Sequence, residues 1–302
     1  RRHGGSGRSG RGAVQRGLRR VLRFVLALSA AACLGPLAAG ALAQDEAQEQ
    51  AERTSNFHAV VFDVDVQYNE SFIASMLDLT ADCPLIKLDA EHAVCRQQTD
   101  TGGQVWIGLK EREGAYEFVT ANPGFIGKSA FPVTVEGVMS EAEWEPFEYR
   151  LAVRFSDLEI PLLIELADPR EAARFTDLAE PVAMTVDVTA FTFNPEIFED
   201  EAAFLAAQKK LGEDVQYAPK FFIPSGLFRA NPPARATFGG EILEAELVKA
   251  SNGASHWRTL AKVQGGGTIN VVFDDVWPEL KPAKGKLISG AFWLSAQVGD
   301  KD

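Results

Sequence analysis

Residues 256–273 read His-Trp-Arg-Thr-Leu-Ala-Lys-Val-Gln-Gly-Gly-Gly-Thr-Ile-Asn-Val-Val-Phe. Two runs rich in apolar and β-branched residues, His256–Val263 and Thr268–Phe273, flank three consecutive glycines. Such runs on either side of a glycine turn predict an antiparallel hairpin. Gly265-Gly266-Gly267 is not a phosphate-binding loop, because the lysine and the strand-to-helix context of such loops are missing. The stretch therefore indicates an antiparallel β fold.

Further strand-like segments place this hairpin in the second of two strand-rich blocks. The predicted strands are Val133–Val138, Tyr149–Phe155, Glu159–Leu166 and Val182–Phe193 in the first block, and Glu241–Val248, His256–Val263, Thr268–Phe273 and Leu287–Val298 in the second. Strands at this spacing with short turns are typical of small antiparallel barrels or sandwiches. We therefore expect a mainly β protein with minor α structure, with β modules at residues 131–195 and 239–299.

The two blocks align without gaps. Leu151-Ala152 then falls on Leu260-Ala261, Ile164 falls on Phe273, and Pro169 falls on Pro278. This alignment predicts a repeat of two antiparallel barrel-like modules, of OB type or sandwich type. One continuous β-sandwich without a repeat is the alternative.

The closing segment, Gly285-Lys286-Leu287-Ile288-Ser289-Gly290-Ala291-Phe292-Trp293-Leu294-Ser295, is similar to the C-terminal strand of β-barrel modules in exported bacterial proteins. Together with the two blocks, the chain resembles tandem OB-like β-barrel modules. The resemblance rests on glycines and aromatic residues. It brings no catalytic residue with it and implies only a fold.

Residues 1–43 have the layout of a secretory signal peptide. The eight arginines of this segment are accompanied by no acidic residue, an apolar run begins at Val21, and small residues end it at Ala41-Leu42-Ala43. A basic lead, a short apolar centre and small residues at the cut are typical of such signals. We expect cleavage after Ala43 and a periplasmic or secreted protein without a membrane span. Lipid attachment at Cys33 is the rival interpretation, and the residues before Cys33 match that signal poorly.

After the signal we expect a flexible tether at residues 44–55 and a small α+β unit at residues 56–130. The unit begins with an alternating strand, His58–Tyr68, and a helix across Glu70–Leu79. A second helix is predicted from Asn194, with Pro195 in its first turn and Gly212 at its end. This helix and a connector fill residues 196–238.

Two cysteines, Cys83 and Cys95, remain after cleavage. An exported protein meets an oxidising compartment, where such a pair normally forms a disulfide. The eleven residues between them are too many for a redox-active pair, which usually has two. We therefore expect a structural bridge that ties the α+β unit.

Cleavage would also change the charge of the protein. The full chain has 30 basic and 42 acidic residues, and loss of eight arginines leaves 22 basic residues and a net charge of −20. Nucleic acids and anionic membranes require cationic surfaces. The composition therefore disfavours both as partners.

Motifs for catalysis and for metal binding are weak. Val61-Phe62-Asp63-Val64-Asp65 superficially resembles the Asp-x-Asp motif of haloacid-dehalogenase-type phosphatases, but Val66-Gln67 replaces the Gly-Thr that follows in that family. Two carboxylates on one strand face provide too few ligands for a cation. There is no Gly-x-Ser-x-Gly element, and the three histidines after the signal (His58, His92 and His256) form no zinc motif. We expect no catalytic, metal or cofactor site.

Three tryptophans of the second block, Trp257, Trp277 and Trp293, are candidates for a ligand-binding face, although core packing is the commoner role for most such rings. The sequence favours an exported, non-catalytic module of the cell envelope that recognises a protein or peptide. The alternatives are an envelope hydrolase whose site combines residues distant in sequence, and a protein that binds a sugar or another small ligand.

Overall fold

The computed structural model describes residues 70–142, 144–155, 159–192, 194–210, 217–225, 233–275 and 279–298. The protein is mainly β, with 56% strand and 12% helix, and it combines a closed eight-stranded β-barrel with a separate four-stranded sheet. The predicted signal, the tether, Cys33, the strand His58–Tyr68 and the Asp63/Asp65 pair lie outside the described residues.

The N-terminal part of the described chain contains one helix and one sheet. Its elements are the helix α1 (Glu70–Thr80) and the strands β1 (Leu85–Lys87), β2 (His92–Gln98), β3 (Gly103–Arg112) and β4 (Ala115–Phe125). The strands form an antiparallel sheet in the order β1-β2-β3-β4. Phe72 and Met76 of α1 are fully buried against this sheet, as the spacing of the apolar residues in the predicted helix indicates. Gly114, with φ +80°, makes the tight turn between β3 and β4.

The remaining strands build the barrel and its two short additions. The barrel strands are β5 (Phe131–Ser140), β6 (Tyr149–Phe155), β7 (Ile160–Leu166), β8 (Val182–Thr192), β11 (Arg235–Lys249), β12 (Ser255–Val263), β13 (Thr268–Asp274) and β14 (Leu287–Gln297). The short strands are β9 (Glu196–Phe198) and β10 (Phe221–Pro224), and the helices are α2 (Glu201–Lys210) and a 3₁₀ helix (Pro169–Arg174). Around the barrel the order is β8-β5-β6-β7-β14-β11-β12-β13, with β13 pairing back to β8. The hairpin β12–β13 confirms the turn at the three glycines, where the Val263 N–H donates to the Gly267 carbonyl.

Two four-strand units, β5–β8 and β11–β14, repeat one pairing scheme. In each unit the first strand pairs with the second across a bulge, which lies between Val135 and Gly137 in one unit and between Ile242 and Glu244 in the other. The first strand also pairs with the fourth in both units, and the third strand of each pairs in parallel with the fourth strand of the other. The two fourth strands, β8 and β14, pair antiparallel with each other. The chain therefore contains a repeat with a reciprocal exchange of strands, in which the third strand of each half pairs with the fourth strand of the other half.

The repeat does not produce two separate modules, which corrects the predicted architecture. Strands of both units line one barrel, and one hydrophobic cluster contains residues of both, among them Phe131, Phe155, Phe238 and Phe273. A unit of four strands is too small to close by itself, so each third strand finds its partner in the other unit. An OB fold closes five strands, and the OB-type assignment is not confirmed by this ring of eight.

The strand registers also correct the sequence alignment. By register the equivalent of Leu151 is Thr259 and not Leu260, and the equivalent of Ile164 is Val271 and not Phe273. A slip of one residue turns a side chain to the opposite face of a strand. Leu151 is buried in the barrel core, whereas Leu260 is only half-buried.

The second helix begins later than the sequence predicts. The residues after Pro195 form β9, which pairs with β14, and α2 begins at Glu201. Asp200 caps it, because its carboxylate accepts a hydrogen bond from the Ala203 N–H at 2.8 Å. Ile197, predicted as a helix position, instead packs against the barrel core. Gly212 lies outside the described residues.

A buried polar network attaches the segment after β4 to the barrel. The Asp187 carboxylate accepts hydrogen bonds from the Ser129 hydroxyl at 2.6 Å, from the Asn270 amide at 2.7 Å and from the Gly127 N–H at 3.1 Å. The Asn270 amide oxygen accepts a further bond from the Lys128 N–H at 3.0 Å. These bonds satisfy the buried carboxylate and fix the Asn270 side chain.

We predict that Gly127→Ala destabilises the protein by about 3 kcal/mol, because the network leaves Asn270 little room to move. A Cβ at position 127 would lie 2.2 Å from the Asn270 amide nitrogen. Gly114→Ala is the control, since a Cβ there meets no atom within 4 Å and only the positive φ opposes it, at about 1 kcal/mol. Urea unfolding of both variants measures the difference, and equal losses would contradict the packing argument.

Candidate functional site

The predicted disulfide is present. Cys83, which follows α1, is bonded to Cys95 of β2, with Cα atoms 5.9 Å apart. Cys95 is fully buried and Cys83 is nearly so, and both belong to the cluster that packs α1 against the sheet. The bridge therefore secures the segment after the helix to the second strand of the sheet.

The structure places two of the three candidate tryptophans in different clusters. Trp257 of β12 is half-buried against the barrel core, and Trp293 of β14 is half-buried against the core of the four-stranded sheet. Trp277 lies outside the described residues. A ligand face that includes Trp277 stays a prediction.

Trp293 contacts a cluster of buried ionisable groups. Its indole N–H donates to the Glu165 carboxyl at 2.8 Å. Glu165, only 8% exposed, lies on β7 directly opposite Arg150 of β6, and Trp293 lies opposite Arg235 of β11. Since Ile164 and its alternate neighbours line the barrel core, Glu165 points out of the barrel.

A second carboxyl group belongs to the same cluster. Glu148 is the last residue of the β5–β6 connection, and its carboxyl accepts a hydrogen bond from the Thr120 hydroxyl of β4 at 3.2 Å. Arg150 reaches the Glu141 carboxylate at 3.2 Å. The cluster thus joins the barrel to the four-stranded sheet through polar contacts.

Burial controls the protonation of these groups. Burial first, and the nearby Glu148 carboxylate second, raise the pKa of Glu165 to about 8 against the opposing effects of the Trp293 N–H, Arg150 and Arg235. Burial also raises the pKa of Glu148 and lowers the pKa of Arg235. Glu165 therefore holds a proton at neutral pH and is able to donate a hydrogen bond or a proton.

Sequence reasoning identified β7 only as a strand and did not select Glu165. The available signal was a single acidic residue in the otherwise apolar run Ile-Pro-Leu-Leu-Ile-Glu-Leu, residues 160–166. One acid in a strand buried on both faces requires a partner. The identity of that partner depends on the pairing of β7 with β6 and β14, which the sequence does not show.

His256 is a second buried ionisable group. Its side chain is fully buried, and neither ring nitrogen has a hydrogen-bond partner among the residues that the structure describes. The ring meets Phe125 of β4 edge to face, with centroids 6.0 Å apart. Burial first, and the Arg258 charge second, lower the pKa of His256 to about 4. The histidine therefore acts as a neutral packing group between barrel and sheet.

An open groove lies on the outside of the barrel near the segment that follows β4. Its volume is about 280 Å³. Ile126, Ala245 and Leu260 provide its apolar lining. Two ion pairs border it: Lys128 with Glu244, at 2.7 Å, and Arg258 with Glu246. The groove combines apolar contact area with charges that an incoming group can pair with.

Three further findings bear on function. Within the described ranges, no three histidine, cysteine or acidic side chains lie close enough together to hold a metal ion. No helix in the same ranges is long and apolar enough to span a membrane. Comparison with protein-family models, with curated proteins and with solved structures gives no match.

We predict that Glu165→Gln removes a pH-dependent loss of stability. The pKa of Glu165 is raised in the folded state from 4.5 to about 8, so the folded protein binds a proton that the unfolded chain releases, and stability falls as pH rises through this window. Between pH 6.5 and 8 the wild-type protein should lose about 2 kcal/mol more than the variant. Urea unfolding at several pH values measures this. Glu180→Gln, at an exposed position, is the control and should match the wild type.

We predict that His256→Leu removes a loss of stability that occurs as pH falls, which is the opposite direction to the loss removed by Glu165→Gln. The pKa of His256 is lowered in the folded state from 6.5 to about 4, so the unfolded chain binds the extra proton and wild-type stability falls as pH drops through this window. The variant should lose less stability than the wild type between pH 6.5 and 4 in the same assay. An acid limb that the substitution leaves unchanged would show that the pKa of His256 is the same in the folded and the unfolded protein.

Proposed function

We propose that this chain is an exported, non-catalytic binding or assembly module of the cell envelope that recognises a protein or peptide. We further propose that it acts in the periplasm or outside the cell after cleavage at Ala43. The support for export is the predicted signal and the formed Cys83–Cys95 bridge, which suits an oxidising compartment. The support for binding is the groove on the barrel.

The groove carries the proposal because its chemistry fits side chains of a macromolecule. Its volume of about 280 Å³ lies just below the usual range for small-molecule sites. An apolar floor with a charged rim is also the usual anatomy of a protein-binding surface.

The lining residue Leu260 allows a direct test. We expect Leu260→Ser to weaken partner binding by about tenfold, because half-burial of a leucine against a partner contributes about 1.4 kcal/mol. The measurement is crosslinking in intact cells with quantitative mass spectrometry, followed by titration of the purified partner. Ile223→Ser, at a residue 42% exposed on β10 and outside the groove, is the control and should bind as the wild type does. A protein recovered only as an uncrosslinked monomer would contradict the proposal.

A further inference from the structure

The two halves of the repeat differ at one strand edge. In the second unit, residues 287–289 of β14 pair with β11 on one side and with β9 on the other. The register makes residues 183–185 of β8 their equivalents in the first unit. These residues pair with β5, and no other strand of the described ranges pairs with them. One edge of β8 is thus open where the same edge of β14 is covered.

Burial shows the same difference residue by residue. Leu287 and Ser289 are 3% and 6% exposed, whereas their equivalents Ala183 and Thr185 are exposed. Ile288 is fully buried, whereas its equivalent Met184 is only half-buried against the barrel core. The neighbouring Val182 is 41% exposed. The start of β8 therefore carries apolar surface that its equivalent in the second unit has buried.

The covering strand shows what such an edge accepts. β9 is a three-residue antiparallel strand in which Ile197 lies opposite Ile288 and packs against the barrel core. Phe198 lies opposite Leu287 and meets Phe204 of α2 edge to face, with ring centroids 5.1 Å apart. A short extended segment with an apolar residue at its centre is thus sufficient to complete this edge.

We propose that the open edge of β8, residues 182–185, binds an extended peptide segment of the partner as an added antiparallel strand. Alternate N–H and C=O groups of an edge strand point outward and supply the hydrogen bonds for such an addition. An apolar partner residue opposite Met184 extends the barrel core as Ile197 does beside Ile288. This inference rests on the proposed function and names the form in which the partner is recognised.

Charge near the edge selects the chemistry of the peptide. Asp177 and Glu180 lie exposed in the connection that leads into β8, and neither has an ion-pair partner within the described ranges. The complementary segment therefore has a central apolar residue flanked by lysine or arginine. β9 itself carries Glu196 and is preceded and followed by acidic or uncharged residues, so it is a poor match for this second edge.

Two synthetic heptapeptides serve as probes. One copies residues 194–200, and the other has the same sequence with its three acidic residues replaced by lysine. With the full chain, the lysine peptide should slow hydrogen exchange at alternate amides of residues 182–186, and it should bind at least about tenfold more tightly than the acidic peptide. Met184→Ser should weaken its binding by about tenfold. Met139→Ser, at a methionine of β5 that is 42% exposed, is the matched control and should leave binding unchanged.

Four results would overturn the inference. Amides of residues 182–186 that are already protected in the isolated monomer would show that another part of the same chain covers the edge. Protection that grows with protein concentration would assign the edge to a second copy of the chain. Protection confined to the groove would reject the edge while leaving the proposed function intact. Absence of peptide binding at every site, together with no crosslinked partner in cells, would reject both proposals.

Discussion

Strand edges must be paired or protected, and this constraint organises the barrel. Each four-strand unit has a third strand whose outer edge lacks a partner within the unit, and that edge pairs in parallel with the fourth strand of the other unit. The two fourth strands also pair with each other, so β8 and β14 form the common centre of both halves. This exchange gives the barrel one hydrophobic core shared by both units. The contact with the four-stranded sheet and the position of the charged cluster depend on it as well.

Local features of the chain were predictable from sequence, because short-range patterns determine them. Alternating apolar residues indicated most of the strands, the three glycines indicated the β12–β13 turn, and the spacing of Cys83 and Cys95 indicated the bridge. The sharing of one barrel by both blocks was not predictable, since parallel pairings between residues more than 80 positions apart leave no local pattern. The gapless alignment was wrong for a related reason. The register of a strand is set by its partners, and a slip of one or two residues preserves the appearance of a repeat.

The charged cluster illustrates the same limit for functional residues. Glu148, Glu165, Arg235 and Trp293 come from four different parts of the chain, and no spacing between them corresponds to a motif. Their contact arises where the outer face of the barrel meets the four-stranded sheet. In that place a buried proton on Glu165 costs less than a buried charge, whereas the buried His256 is neutral because it has lost its proton. Both side chains are therefore neutral near pH 7 where the sheet meets the barrel.

The reciprocal exchange of strands has a consequence for the integrity of the chain. Neither unit provides a partner for the outer edge of its own third strand. Each half therefore lacks a strand pairing that it needs in order to fold by itself. The chain segment that links the halves, however, takes no part in the parallel pairings of β7 with β14 and of β13 with β8. The two halves therefore depend on each other as the subunits of an obligate dimer do, although they belong to one polypeptide. Two fragments produced by a cut between α2 and β10 are expected to reassemble as complementary parts.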